Sequence, residues 1–198
     1  MEEVETTKAL TINGSPREKG NTAGMLSAAE EELRRAGIEV ERVSLANVDI
    51  RPCTACEACH KSEWSCPIED DAIRVLKKMV EADAILIGSP VYFGGVTAQL
   101  KALFDRSAIP YQGSELRDKI GGALSCGGAR QGGQEMTVTQ IIVFFMTHDM
   151  QVANTGDGAY GAMGVADGEG DIADDEEGLS SARNLGQRTA QLLTRSKA

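Results

Sequence analysis

Lys8-Ala9-Leu10-Thr11-Ile12-Asn13 runs directly into Gly14-Ser15-Pro16-Arg17 and then Gly20-Asn21-Thr22. The first six residues, largely apolar and without a breaker, read as a short buried strand. The glycines and proline that follow end it. Beyond Thr22 the apolar residues recur at helical spacing, and the helix closes at Arg34-Arg35-Ala36-Gly37. Two cations suit the negative end of a helix, and glycine suits a left-handed cap. A buried strand, a glycine-bearing turn and an amphipathic helix in that order open an α/β fold.

The pattern repeats outward from this unit. Ile38 to Leu45 reads as a second strand. Residues 51–69 show no apolar period and read as a loop, after which Asp70 caps a helix carrying Ile73, Leu76 and Val80 on one face. Ala84 to Gly88 is a third strand and is followed by a helix over Thr97 to Ser107. Ile120 to Cys126 is a fourth strand, with a helix over Gln134 to Thr147 after it. Met150 to Asn154 is a short fifth strand, and Ser180 to Thr194 a last helix. Short buried strands alternating with helices predict a parallel sheet covered on both faces, in a doubly wound arrangement. Residues 1–198 are expected to form one domain. The stretch from Thr155 to Gly178 is long for a connection and predicts a functional or mobile segment.

Of 198 residues, 41% are hydrophobic, enough for one sizeable core. No apolar run is long enough to span a bilayer, and Met1-Glu2-Glu3-Val4-Glu5 is unlike a secretory signal. A formal net charge of -10 argues against nucleic acid and anionic membrane as partners. Much of that charge sits between Asp167 and Glu177, read as a solvated loop, with a docking patch for a redox partner as the alternative. No Ser-His-Asp set or paired loop carboxylates stand out, so hydrolase chemistry has little support.

Four of the five cysteines are Cys53, Cys56, Cys59 and Cys66, spaced C-x2-C-x2-C-x6-C and followed by Pro67. An odd count with so tight a cluster excludes a disulfide framework and predicts a reducing, cytoplasmic setting. Thiols this close in sequence can converge without help from distant strands. A cubane iron–sulfur cluster takes four such thiolates, and ferredoxin-type runs end in Cys-Pro. Tetrahedral zinc also takes four, and reduced structural thiols are the bland alternative.

The polar and glycine-rich residues collect at strand ends, where doubly wound sheets bind ligands. Ser15, Arg17, Asn21 and Thr22 offer two hydroxyls, a guanidinium and an amide beside a helix N-terminus, which suits a phosphate. The spacing is neither G-x-G-x-x-G nor a P-loop, so a monophosphate such as that of FMN fits better than a pyrophosphate. An ordinary turn with a helix cap is the plain alternative. Pro90-Val91-Tyr92-Phe93-Gly94-Gly95 could flank a planar ring with its aromatics and reach its polar edge through backbone N–H groups. Cys126, Gly127 and Gly128, with Gly132 and Gly133, would let a third loop pass close to the same ligand.

These three loops and the compact cysteine run resemble the iron–sulfur flavoproteins, a branch of the flavodoxin-like, NAD(P)H-dependent FMN reductase superfamily. The resemblance spans almost the whole chain. It implies a flavodoxin-like fold with a five-stranded parallel sheet in the order 2-1-3-4-5 and a cysteine-rich loop insertion. It implies FMN and one [4Fe–4S] cluster as cofactors. The FMN phosphate would rest on Ser15, Arg17, Asn21 and Thr22, and the ring and ribityl against Pro90, Val91, Tyr92, Phe93 and Gly94. The loop from Cys126 to Gly133, with Gly127 and Gly128, would complete the pocket, and Cys53, Cys56, Cys59 and Cys66 would ligate the cluster. The implied activity is electron transfer from a ferredoxin-like donor to FMN, with oxygen or peroxide among the acceptors. The implied assembly is a homodimer or homotetramer. An FMN or quinone reductase driven by NAD(P)H, with a zinc or vestigial cysteine site, is the alternative. A redox-sensing module that docks a partner is a third.

Single residues carry smaller expectations. Trp64 would either shield the cluster or simply pack. His60 is superfluous as a ligand beside four thiols, and Cys126 reads as a small buried hydrophobe or a flavin contact. Asp105 and Arg106 read as a surface ion pair, Arg130 as a surface cation, and His148 as a charge at a helix C-terminus.

Overall fold

The computed structural model describes residues 6–196. Strand β1 (Lys8–Asn13) leads to helix α1 (Asn21–Arg35), β2 (Glu39–Ser44), the short α2 (Ala58–Lys61), α3 (Ala72–Glu81) and β3 (Ala84–Pro90). Then come α4 (Ala98–Arg106), α5 (Ala108–Gln112), β4 (Ile120–Gly127), α6 (Gln134–Thr147), β5 (Gln151–Ala153), β6 (Ala162–Val165) and α7 (Glu176–Ser196). The strands pair in parallel in the order β2-β1-β3-β4-β5, the order the resemblance implied.

The sheet holds six strands rather than five, because β5 and β6 both pair with β4. β5 lies against Ile120–Gly122 and β6 against Leu124–Gly127, so two short strands share one edge position. Ala162-Met163-Gly164-Val165 carries a single β-branched residue in a glycine-rich stretch, which hides it from a propensity reading.

Side chains alternate across the sheet. Leu10, Ile12, Ile85, Ile87 and Ala123 join Val75, Leu76 and Met79 of α3, Leu100 and Leu103 of α4, and Ile141 and Phe145 of α6 in one core. Ala9, Leu86, Ile120, Leu124 and Cys126 join Met25, Leu26 and Leu33 of α1 and Leu185 of α7 in the other. Gly88 permits the close approach of α1. A Cβ there would stand 2.7 Å from Leu124 Cδ1 and 2.9 Å from Thr22 Cγ2, inside contact distance.

The acidic stretch is not a bare loop. It follows β6 and holds a 3-10 turn at Asp171–Asp174, with Ile172 buried, and the start of α7, which begins at Glu176 rather than Ser180. Asp175 explains the earlier start: its carboxylate accepts from Gly178 N at 3.1 Å and from Val165 N at 2.6 Å. Among the described residues no helix is long and apolar enough to cross a membrane.

Candidate functional site

β1, β3 and β4 run parallel, so their C-terminal ends lie side by side. Gly14 N donates to Gly88 O at 2.7 Å, and Thr97 Oγ1 donates to Gly14 O at 2.6 Å, tying the first loop to the end of β3. Val91 N donates to Cys126 O at 3.0 Å, tying the second loop to the third. A Cβ on Gly133 would meet Val91 Cγ1 at 3.1 Å and Gly94 Cα at 3.2 Å, so those two loops touch. The sequence expectation that three loops converge therefore holds.

Asn13 shapes the first loop, a role the sequence reading missed. Its Oδ1 accepts from Ser15 N at 3.1 Å, and its Nδ2 donates to Arg17 O at 3.1 Å and Glu18 O at 3.3 Å. An Asn before Gly-Ser is an Asx-turn signal and could have been read as one. Ser15 Oγ accepts from Arg17 N at 3.0 Å, while the Arg17 side chain is exposed. No acidic residue occupies the first turn of α1, so the positive helix end is left unopposed. Thr22 is buried against Gly88. Asn21 faces elsewhere: its Nδ2 donates to Gly168 O at 2.7 Å, and its Oδ1 accepts from Gly170 N at 3.0 Å and Ile172 N at 3.3 Å. It clamps the acidic segment to the start of α1.

The second loop is a tight hairpin. Tyr92 N donates to Gly95 O at 2.9 Å and Gly95 N to Tyr92 O at 3.1 Å. Phe93 and Gly94 both have positive φ, 51° and 78°. Two left-handed central residues make the turn type that favours Asn-Gly. A phenylalanine there is strained, and Phe93 is fully exposed. Neither Tyr92 nor Phe93 belongs to a core. The Cys126 thiol packs into the core beneath α1, where burial and then the charge of Asp175 push its pKa up to about 11. Gly127 and Gly128 continue from it, and Gln134 holds their loop through Ala129 O at 2.7 Å and Gly132 N at 2.9 Å. The residues present fit a planar ligand with a phosphate tail: an unopposed helix end with Arg17 beside it, and an exposed aromatic hairpin.

Cys53, Cys56, Cys59 and Cys66 line one hollow with Asp105, Arg106 and Ile109. The segment is not all loop, since α2 carries Cys59. Ala55, Glu57 and Trp64 take left-handed φ of 53°, 60° and 54°. Three non-glycine residues so placed within one short segment mean that the backbone is coiled against its preference. Ala55 N donates to Cys53 Sγ at 3.4 Å. Burial raises the Cys59 thiol's pKa, its own backbone hydrogen bond lowers it, and the other three thiols raise it again. Among the described residues no three His, Cys, Asp or Glu side chains are gathered to hold a single ion. Four thiols on one hollow suit a group that takes four thiolates. Trp64 does not line the hollow. It packs on the core beneath Lys77, whose Nζ is 5.9 Å from the ring centre, so the packing reading of Trp64 holds.

Arg106 corrects an expectation. It is not paired with Asp105 at the surface, since Asp105 bonds Lys101 at 2.5 Å. Adjacent helical residues point about 100° apart, and Arg106 turns inward. Its Nη1 donates to Asp70 Oδ2 at 2.6 Å and to Arg51 O at 3.0 Å, and its Nη2 to Asp70 Oδ1 at 3.1 Å and to Cys66 Sγ at 3.2 Å. The two charged side chains are 1% and 0% exposed. Burial pushes the Asp70 carboxyl up, but hydrogen bonds from Arg106, Arg51 N and Ala72 N outweigh it and hold it below the usual carboxylate range.

A family model described as NADPH-dependent FMN reductase matches residues 7–162. An iron–sulfur flavoprotein of Methanocaldococcus jannaschii is 48% identical over 188 residues, covering 94% of this chain and 97% of that one. This chain belongs to that family. Within the FMN reductase family it stands with the iron–sulfur flavoproteins, and one from Methanosarcina thermophila is 42% identical over 146 residues, 73% of this chain and 76% of that one. A solved structure of RosB with bound 8-demethyl-8-formylriboflavin-5'-phosphate superposes with a TM-score of 0.79 at 19% identity, over 97% of this chain and 81% of that one. At that identity the likeness concerns the fold. A groove of about 990 Å³ opens beside the third loop, bordered by Arg130 and Gly133 of that loop and by Glu135, Asp157, Asp175, Glu176 and Glu177.

Proposed function

We propose that this chain is a cytoplasmic, FMN-dependent oxidoreductase that takes electrons from a ferredoxin-like one-electron donor through a [4Fe–4S] cluster. The observation that carries it is the set of four cysteines around one hollow, on a backbone bent left-handed three times to put them there. Cys53, Cys56, Cys59 and Cys66 hold the cluster. Ser15, Arg17, Thr22 and the first turn of α1 hold the FMN phosphate, with Asn21 fixing the adjoining segment. Pro90, Val91, Tyr92, Phe93 and Gly94 bear on the ring and ribityl, and Gly127 and Gly128 close the pocket with the backbone of Cys126. When bound, the cluster carries single electrons and FMN takes one or two, so the pair would join a one-electron donor to a small acceptor such as oxygen or peroxide. The chain acts as one domain and assembles with itself. The outer face of α6 supports this, since it exposes Met136, Val143 and Met146 and borders the hairpin through Gln140 Oε1, which accepts from Val96 N at 3.1 Å.

Direct reduction by NADPH is the second reading, favoured by the family's description. The groove beside the third loop does not suit a dinucleotide, because its rim carries Glu135, Asp157, Asp175, Glu176 and Glu177 against one Arg130. Those carboxylates repel phosphates. The test is anaerobic purification followed by iron, sulfide, zinc and FMN analysis and sedimentation. Roughly four irons with matching sulfide and one FMN per chain, in particles larger than one chain, are expected. FMN with zinc, or with no metal, and bleaching by NADPH alone would establish the second reading instead.

A further inference from the structure

We propose that Arg106 is a positioning residue for Cys66, and that with Asp70 it sets the reduction potential of the group the four cysteines hold. This rests on the cluster reading above. A buried Arg–Asp pair could serve only to join the start of α3 to the end of α4. Two observations go further. The guanidinium lines the thiol hollow and donates to Cys66 Sγ at 3.2 Å. Its Nε is buried without a hydrogen-bond partner among the described residues. Buried donors are rarely left so, and a sulfur acceptor within the hollow would supply what this one lacks. Asp70 and Arg51 O fix the fork, so the N–H aimed at Cys66 is held in place before any ligand arrives.

Reduction adds negative charge to the hollow. The Arg106 cation favours that state and raises the potential, while the Asp70 anion, one guanidinium farther from Cys66 Sγ, opposes it. Both groups are shut off from solvent, so salt screens neither well. The two residues therefore push in opposite directions, which no purely mechanical role predicts.

The experiment is a spectroscopically monitored redox titration of the iron-loaded protein, with iron counted in each sample. Arg106→Met is expected to lower the midpoint potential, Asp70→Asn to raise it, and Arg106→Lys to fall between Arg106→Met and wild type. The resonance signature of the reduced protein is expected to change in Arg106→Met. Fully loaded variants with the wild-type potential, or a shift of both in the same direction, would overturn the proposal. If Arg106→Met does not fold, Asp70→Asn and Arg106→Lys decide, and an unchanged potential in both overturns it. Wild-type protein without iron would overturn the cluster reading instead.

Discussion

A charged side chain stabilises a helix C-terminus only while it keeps its charge, and His148 does not. The ring is buried at the end of α6, beside the rings of Tyr111 and Phe144. Ser107 Oγ gives its one proton to Phe104 O at 2.7 Å, so His148 Nε2, 2.8 Å away, must be the donor to Ser107. Neutral imidazole and imidazolium can both make that bond, so burial decides the charge. Burial holds its pKa below 6.5 against a small opposing pull from Asp149. The folded state thus prefers the neutral form, and the unfolded chain takes up the proton first as pH falls. This contribution is complete above 6.5 and is lost below it, down to the depressed folded value. The slope is at most about 1.4 kcal/mol per pH unit. Denaturant melts at pH values either side of 6.5 are expected to show wild type losing more stability on acidification than His148→Gln. Parallel curves would contradict this. The identity of His148 was legible in the sequence; its burial was not, because Tyr111 of α5 and Ser107 just before α5 reach it from a distant part of the chain.

At the scale of elements, the hairpin Tyr92–Gly95 pits stability against ligand binding. Phe93 holds a left-handed φ of 51° with its ring in solvent, an arrangement that gains the free protein nothing. Glycine takes that conformation without strain, which is worth on the order of 1 kcal/mol here, offset in part by its greater freedom when unfolded. Phe93→Gly is therefore expected to keep or slightly raise the stability of the apoprotein while weakening FMN binding, read by urea melts and by quenching of flavin fluorescence. Lower stability with unchanged affinity would mean that the ring is structural. The ends of long helices such as α1 and α6 were legible to within a residue or two. β6 and the 3-10 turn at Asp171–Asp174 were not. Tertiary contacts hold them, through the carboxylate of Asp175, the side chain of Asn21 and the buried Ile172, and no local propensity marks them.

Across the whole molecule, buried runs such as Ala84-Ile85-Leu86-Ile87-Gly88 announced a parallel sheet, and the glycines after β1, β3 and β4 gathered at its C-terminal edge. The spacing of the cysteines announced a metal group. What ties the cysteine segment to α4 was hidden: Arg106 meets Asp70 across 36 positions of sequence, and only the packing of α4 against that segment brings them together. The net charge of -10 bears on partners rather than on the fold. The functional claim is that the thiol hollow feeds the flavin loops. Its most direct test is anaerobic rapid mixing of FMN-loaded protein with a reduced ferredoxin, wild type against Cys56→Ala. Wild-type flavin is expected to bleach, and the variant to keep its FMN but bleach at least about tenfold more slowly, a barrier increase of about 1.4 kcal/mol or more. Equal rates in the two proteins would contradict the claim.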